Sequence, residues 1–339
     1  MGFSGGCLGW ERWVALFAFC EKAGCQIYFS VNALRGRTRA TCANGTLCRE
    51  RTNGTRPSCC TSYSGTWDGD NLRQLLRASA AAGLRPAGLA FGNELVGAHA
   101  IEARVPAAQY ATEVLEMAEI VREAWPLNPP LILAPDANWD EAWYAAFLGN
   151  LSWPAPLAPA DEAAATTTSL GAAAAVKARA RPPVDVLTHH MYPLGAGNLA
   201  EMHSKLLSPR HLDGSAERLK QVARLVRNRT GGAAEVALSE TGGAYNSGQR
   251  GTTDAFASCF WWADLLGSLA KHEHAMGCRQ ALVGGRYALV ELAGERRGLA
   301  PDFYLLMLWR QLMSPKVRRV RVSARARVRA RVRVNPKVP

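Results

Sequence analysis

The feature of this sequence that most limits its fold is an alternation. Short apolar runs rich in β-formers are separated by stretches with helical periodicity, down most of its 339 residues. Residues 10–24 read as a helix stopped by glycine, and 26–34 as a buried strand. Asp70 reads as the cap of a helix carrying Leu72, Leu75 and Leu76 on one face, with Gly83 as its stop. A strand over 88–92 follows, then a long helix opened by Pro106, with Tyr110, Val114, Met117 and Val121 at helical spacing. The pattern continues with a strand over 130–134, a helix over 140–148, and a strand over 184–190. A helix capped by Ser215, a strand over 234–239, a helix over 252–271 and a last strand over 279–283 complete it. Repeated βα units of this kind imply a parallel sheet with helices outside it. Six strands are expected against the eight of a closed (β/α)8 barrel, and the deficit is expected to lie before residue 1.

Composition narrows the classes further. With 48% hydrophobic and 20% charged residues, the chain is neither a disordered polyelectrolyte nor collagen-like. The net charge of +12 suggests a polyanion partner until its distribution is read. Residues 314–339 carry ten basic residues and no acid, in a Val/Arg/Ala low-complexity tail. Without them, thirty basic residues stand against 28 acidic ones, so the body is nearly neutral and no nucleic-acid partner is expected. The expected organisation is a partial barrel over 1–313, with insertions at about 38–64 and an Ala/Thr-rich one at 160–183, followed by the tail over 314–339.

Nine cysteines are many for a reduced cytosolic enzyme, and Cys42, Cys48, Cys59 and Cys60 crowd one polar loop. That loop also holds Asn-x-Thr sequons at Asn44 and Asn53, and two more sequons begin at Asn150 and Asn228. These features favour the secretory pathway, with an extracellular, lysosomal or vacuolar destination. Peripheral association with a membrane or cell wall is compatible with them. A zinc site is disfavoured because the cluster lacks paired Cys-x2-Cys geometry and a nearby histidine, so neither metal nor cofactor is expected. No leader is recognisable at Met1, and the true N-terminus is expected to lie upstream.

Barrel enzymes place catalytic groups at the C-terminal ends of strands. Two carboxylates occupy such positions, Glu94 after the run 88–92 and Glu240 after the run 234–239. A pair of acids is what glycoside hydrolysis requires: one protonated to donate to the leaving oxygen, one ionised to attack or stabilise the anomeric carbon. A surface glutamate just past a strand is the competing reading of either one alone.

The segment Phe91-Gly-Asn-Glu-Leu-Val-Gly97 resembles the acid/base motif of the heparanase-like proteins, glycoside hydrolase family 79. Ser239-Glu-Thr-Gly-Gly-Ala-Tyr-Asn-Ser-Gly248 resembles the nucleophile motif of that family's plant-type branch. The segments 5–10, 30–36, 188–192 and 278–287 also fit, in the same order, so the resemblance spans roughly residues 2–313. It implies a (β/α)8 TIM-barrel glycosidase fold, with the first two strands and an accessory β-sandwich apparently missing here. The resemblance further implies retaining hydrolysis of β-glucuronides by double displacement, with Glu94 as acid/base and Glu240 as nucleophile. Asn93 would bind the sugar hydroxyl beside the reacting carbon. Tyr245, Tyr287 and backbone amides near Gly285 would hold the glucuronate carboxylate. His189, His190 and Tyr192 match the site wall, with packed strand-end residues as the competing reading.

Two departures bear on substrate. Arg286 stands where the family usually has a small polar residue, and Ala196 where animal members place a basic one. With a near-neutral body, these favour glucuronic acid-containing glycans, glycoproteins or small conjugates over heparan sulfate. The alternative expectation is an inactive fragment or glycan-binding remnant of such an enzyme, with a polyanion-binding tail. Oligomeric state is left open.

Overall fold

The structure, a computed structural model, describes residues 8–39, 62–97, 101, 103–154, 181–292 and 298–313. The four-cysteine loop, most of the Ala/Thr-rich insertion and the basic tail lie outside these residues. Six parallel strands form one sheet in chain order: β1 (Tyr28–Val31), β2 (Gly88–Phe91), β3 (Leu131–Ala134), β4 (Val186–His190), β5 (Glu235–Thr241) and β6 (His274–Arg279). Helices α1 (Trp10–Ala23), α2 (Asp70–Ala81), α3 (Ala107–Ala124) and α4 (Glu141–Gly149) flank and link the first strands. The later ones are α5 (Met202–Leu206), α6 (Pro209–Thr230), α7 (Ser258–Lys271) and α8 (Pro301–Met313). Sequential parallel order with helical crossovers is the (β/α)8-type arrangement, present here as a curled six-stranded part of the barrel.

Successive strand residues face opposite sides of a sheet, and the core divides accordingly. Leu89, Phe91 and Leu187 join Leu76, Val114 and Val121 in the large cluster between sheet and helices. Ala90, Leu133, Val186 and Ala237 form a separate small cluster from the intervening positions. A third cluster joins Leu219, Leu238, Trp261, Trp262 and Leu265 under α6 and α7. Each fully buried aliphatic or aromatic side chain contributes roughly 1.5–3 kcal/mol relative to exposure.

Several boundaries differ from expectation: the first strand is Tyr28–Val31, and β5 runs on through Glu240 to Thr241. The last strand is His274–Arg279, ending where the apolar run 279–283 begins. Gly277 belongs in that strand because Leu269 of α7 packs over it, 2.6 Å from where a Cβ would sit. Leu282 and Val283 instead lie in an exposed loop. Asp70 is the first residue of α2 rather than its cap, and Asp68 Oδ1 accepts the Asp70 amide at 2.9 Å. Ser215 lies inside α6, which Pro209 opens one and a half turns earlier. Residues 252–257 form turns, so α7 starts at Ser258. Asp140 does cap α4, its carboxylate accepting the Trp143 amide at 3.0 Å. The two ends of the 38–64 insertion are zipped by a two-residue antiparallel ladder, Thr38–Arg39 against Tyr63–Ser64.

Candidate active site

The chain leaves β2 through Gly92, whose φ of +74° and tight contact with Leu95 and Ala33 exclude a side chain. Two residues on, Glu94 itself takes a left-handed backbone (φ +56°), and so does Asp136 at the end of β3 (φ +54°). Such conformations cost a non-glycine residue of order 1–3 kcal/mol and persist where surroundings over-determine them. Here the Glu94 amide donates to Asp136 O at 2.8 Å, and the Tyr110 hydroxyl from α3 braces both turns, donating to Phe91 O and lying 3.3 Å from Pro135 O. The Tyr144 hydroxyl sits 2.9 Å from both Ala137 O and Thr188 O, tying β3 to β4.

These strand ends converge on His190. Its Nδ1 lies 2.9 Å from Glu94 Oε1 and 3.8 Å from Glu240 Oε2, and its Nε2 lies 3.3 Å from Asp136 Oδ1. Burial opposes a charge on the ring, but hydrogen bonds to Asp136 and Glu94 outweigh it and push its pKa up to about 10. At neutral pH the ring is therefore an imidazolium donating on both sides. Burial likewise opposes ionisation of Asp136, yet the His190 contact, with help from Ser239 and Ser30, holds its carboxyl below the usual range. The Ser30 hydroxyl of β1 donates to Asp136 Oδ2 at 2.9 Å, and Thr188 Oγ1 accepts the Asp136 amide at 2.8 Å.

Glu94 and Glu240 face one another across this network. One ligand-type atom each from Glu94, His190 and Glu240 lies within 4.8 Å of the others. Both nitrogens of His190 already meet carboxylates, which makes the cluster a hydrogen-bonded network and a poor metal cage. Asn138 donates to Glu94 Oε1 at 3.1 Å, so that oxygen has two donors. Tyr192 donates to Glu240 Oε1 at 2.6 Å, and the Gln280 carboxamide meets the same hydroxyl. Burial and the neighbouring Glu240 push the Tyr192 hydroxyl far above its ordinary pKa, so it stays a neutral donor.

Gly242 lets two aromatic rings close on Glu240: a Cβ there would lie 2.9 Å from Tyr287 and 3.1 Å from Tyr192. Tyr245 packs edge-on to Tyr192 at 6.4 Å, and Tyr287 lies against Gly285, whose φ is +75°. Asn93 is half-buried beside Glu94. His189 goes elsewhere. Its Nε2 is 3.0 Å from His274 Nε2, and burial pushes its pKa well below the usual value. Of the residues singled out from sequence, His190 and Tyr192 hydrogen-bond the carboxylates, Tyr245 and Gly285 lie against Tyr192 and Tyr287, and His189 turns to His274. Asp136, Asn138, Gln280 and Ser30 were not singled out. Asp136 could have been, because it closely follows an apolar run, as Glu94 and Glu240 do. A cleft of about 560 Å³ opens beside His190 and Tyr192, lined also by Asn138, Trp139, Arg210, His211 and Arg218.

A curled parallel sheet with two carboxylates meeting at its C-terminal strand ends defines the class of barrel glycosidase folds. Solved structures agree on the fold: a Paenibacillus polymyxa xyloglucanase of glycoside hydrolase family 44 superposes with TM-score 0.50 at 13% identity, over 82% of this chain and 62% of that one. CelM2, a bifunctional glucanase-xylanase from a metagenome library, superposes with TM-score 0.52 at 16% identity, over 91% and 66%. The chain belongs to glycosyl hydrolase family 79, whose N-terminal domain model matches residues 1–155 and 173–267. Heparanase-like protein 2 of Arabidopsis thaliana is 32% identical over 95% of this chain and 51% of its own length. Baicalin-beta-D-glucuronidase of Scutellaria baicalensis is 30% identical over 95% and 54%. Rat heparanase is 34% identical over 41% and 25%. The chain thus spans about half the length of the curated relatives that it matches along most of its own length.

Proposed function

We propose that this chain carries the catalytic centre of a retaining glycoside hydrolase acting on β-glucuronides, with Glu240 as nucleophile and Glu94 as acid/base. The observation that carries the reading is that one oxygen of Glu94 and one of Glu240 lie within 4.8 Å of each other. Direct attack by a carboxylate requires a carboxyl separation of about 5–5.5 Å, whereas inversion needs roughly 6.5–9.5 Å to admit a water. A relative named as a β-D-glucuronidase supports the sugar.

In the first displacement Glu240 attacks the anomeric carbon while Glu94 gives its proton to the leaving oxygen. Glu94 Oε1 is engaged by Asn138 and His190, which leaves Oε2 to carry that proton. Tyr192 holds Glu240 Oε1, which leaves Oε2 to form the bond. Once Glu240 is esterified, Glu94 takes a proton from water and the ester is hydrolysed. The His190 imidazolium, fixed by Asp136, keeps a positive charge between acids that would otherwise repel one another. Tyr245, Tyr287 and the backbone at Gly285 bind the glucuronate carboxylate on the Glu240 side, Asn93 binds the adjacent sugar hydroxyl, and the cleft past Trp139 takes the leaving group. The substrate class is glucuronic acid-containing glycans or conjugates, met in the secretory pathway or outside the cell.

The test is release of a chromogenic aryl β-glucuronide by the full chain, with the anomer of the first product followed by NMR. We expect β-glucuronic acid first, and loss of turnover in Glu240→Gln by at least about a thousandfold. Turnover persisting in that variant, or an initial α product, would overturn the assignment.

A further inference from the structure

The C-terminus of α1 brings two thiols together. Gly24 takes the left-handed conformation (φ +66°, ψ +33°), and its amide reaches Cys20 O. The Cys25 amide reaches the same carbonyl at 2.9 Å. The second bond spans six residues and folds residue 25 back over residue 20, a helix-ending motif in which those two side chains regularly touch. Here both are cysteines with free thiols, Cys20 half-buried and Cys25 exposed. With the amide at 2.9 Å from the carbonyl, the two Cα atoms lie within about 7 Å, the reach of a disulfide. A Cβ on Gly24 would meet nothing within 4 Å, so glycine is there for its backbone conformation, which makes the fold-back.

We propose that Cys20 and Cys25 are a dithiol/disulfide site that locks the corner between α1 and β1. The oxidant is a small-molecule disulfide of the glutathione type. The exposed Cys25 thiolate attacks one of its sulfurs, breaking that S–S bond and releasing one glutathione. The Cys20 thiolate then attacks the Cys25 sulfur, the mixed disulfide breaks, and the second glutathione leaves. Two protein thiols and one glutathione disulfide become one protein disulfide and two glutathione thiols, which carry away the two protons. The neighbouring Cys25 thiol and burial push the Cys20 thiol up to about 11, consistent with Cys25 attacking first and Cys20 second. The lock sits three residues before β1, whose Ser30 holds Asp136.

Trypsin cuts after Lys22, between the two cysteines, which makes the bond directly readable. The full chain is equilibrated with oxidised glutathione in native buffer, free thiols are blocked with iodoacetamide, and the unreduced digest is read by mass spectrometry. We expect peptides 13–22 and 23–35 joined, and separated by a reductant. Both peptides blocked by iodoacetamide, both carrying glutathione, or either joined to Cys42, Cys48, Cys59 or Cys60 would each overturn the proposal. A second measurement compares the equilibrium constant against glutathione in native buffer and in concentrated urea. The folded corner should favour the bond by about tenfold, and equal constants would count against it.

Discussion

The middle of the sheet and its two edges are built differently. Strands β2 and β4 are buried along their whole length, while β1 at one edge alternates and leaves Tyr28 exposed. Beyond β6, α7, α8 and the turn before α7 present Phe260, Tyr304, Leu312 and Phe256 to solvent. The chemistry follows this division. Glu94, Asp136, His190 and Glu240 all sit at or just past the ends of β2 to β5, strands with a hydrogen-bonded neighbour on each side. The edges contribute fewer groups: Ser30 from β1, and Gln280 and Tyr287 from the segment after β6. Carboxylates gathered within 4 Å of one cation need backbones that cannot drift, and a strand paired on both sides supplies that.

The division can be tested from its strongest consequence downward. Glu94→Gln should lower turnover of a β-glucuronide with a poor leaving group by about 10²–10⁴-fold, and far less with an activated aryl leaving group. Equal losses on both substrates would remove its role as acid. Phe91→Ala, in the middle of the sheet, should cost about 3–5 kcal/mol by urea unfolding, because a fully buried ring leaves a cavity. Leu312→Ala on the exposed face of α8 should stay within about 0.5 kcal/mol. Similar costs for the two would erase the contrast between centre and edge.

The charge network predicts a pH signature. His190 has its folded pKa raised, from 6.5 to about 10, so its contribution to stability is complete below pH 6.5 and fades as pH rises through about 10. Asp136→Asn should shrink that alkaline loss, read as the difference between the two urea midpoints across the pH range. An unchanged profile would show that Asp136 does not hold the imidazolium. The smallest expected effect in the network is at its edge support. Ser30→Ala removes one hydrogen bond to a carboxylate and should cost about 1–2 kcal/mol, measurable in the same unfolding series.

The sequence by itself determined the layout. Apolar periodicity located five of the six parallel strands, because a run buried on both faces and a helix with one apolar stripe leave little other choice. It also put Glu94 and Glu240 at strand ends, and the resemblance to family 79 pointed to Asn93, Tyr192, Tyr245 and Tyr287 as candidates beside them. What it could not decide was direction and register. His189 and His190 are adjacent in the chain, yet one pairs with His274 and the other joins the carboxylates, on either side of a register irregularity between β4 and β5. The last strand was hidden because its identity comes from Leu269 packing over Gly277 and not from its own hydrophobicity. Asp136, Asn138 and Gln280 matter only through distances between strands far apart in sequence. Local pattern reports which face of an element is apolar; which polar atoms meet is settled when the sheet curls and brings the strand ends together.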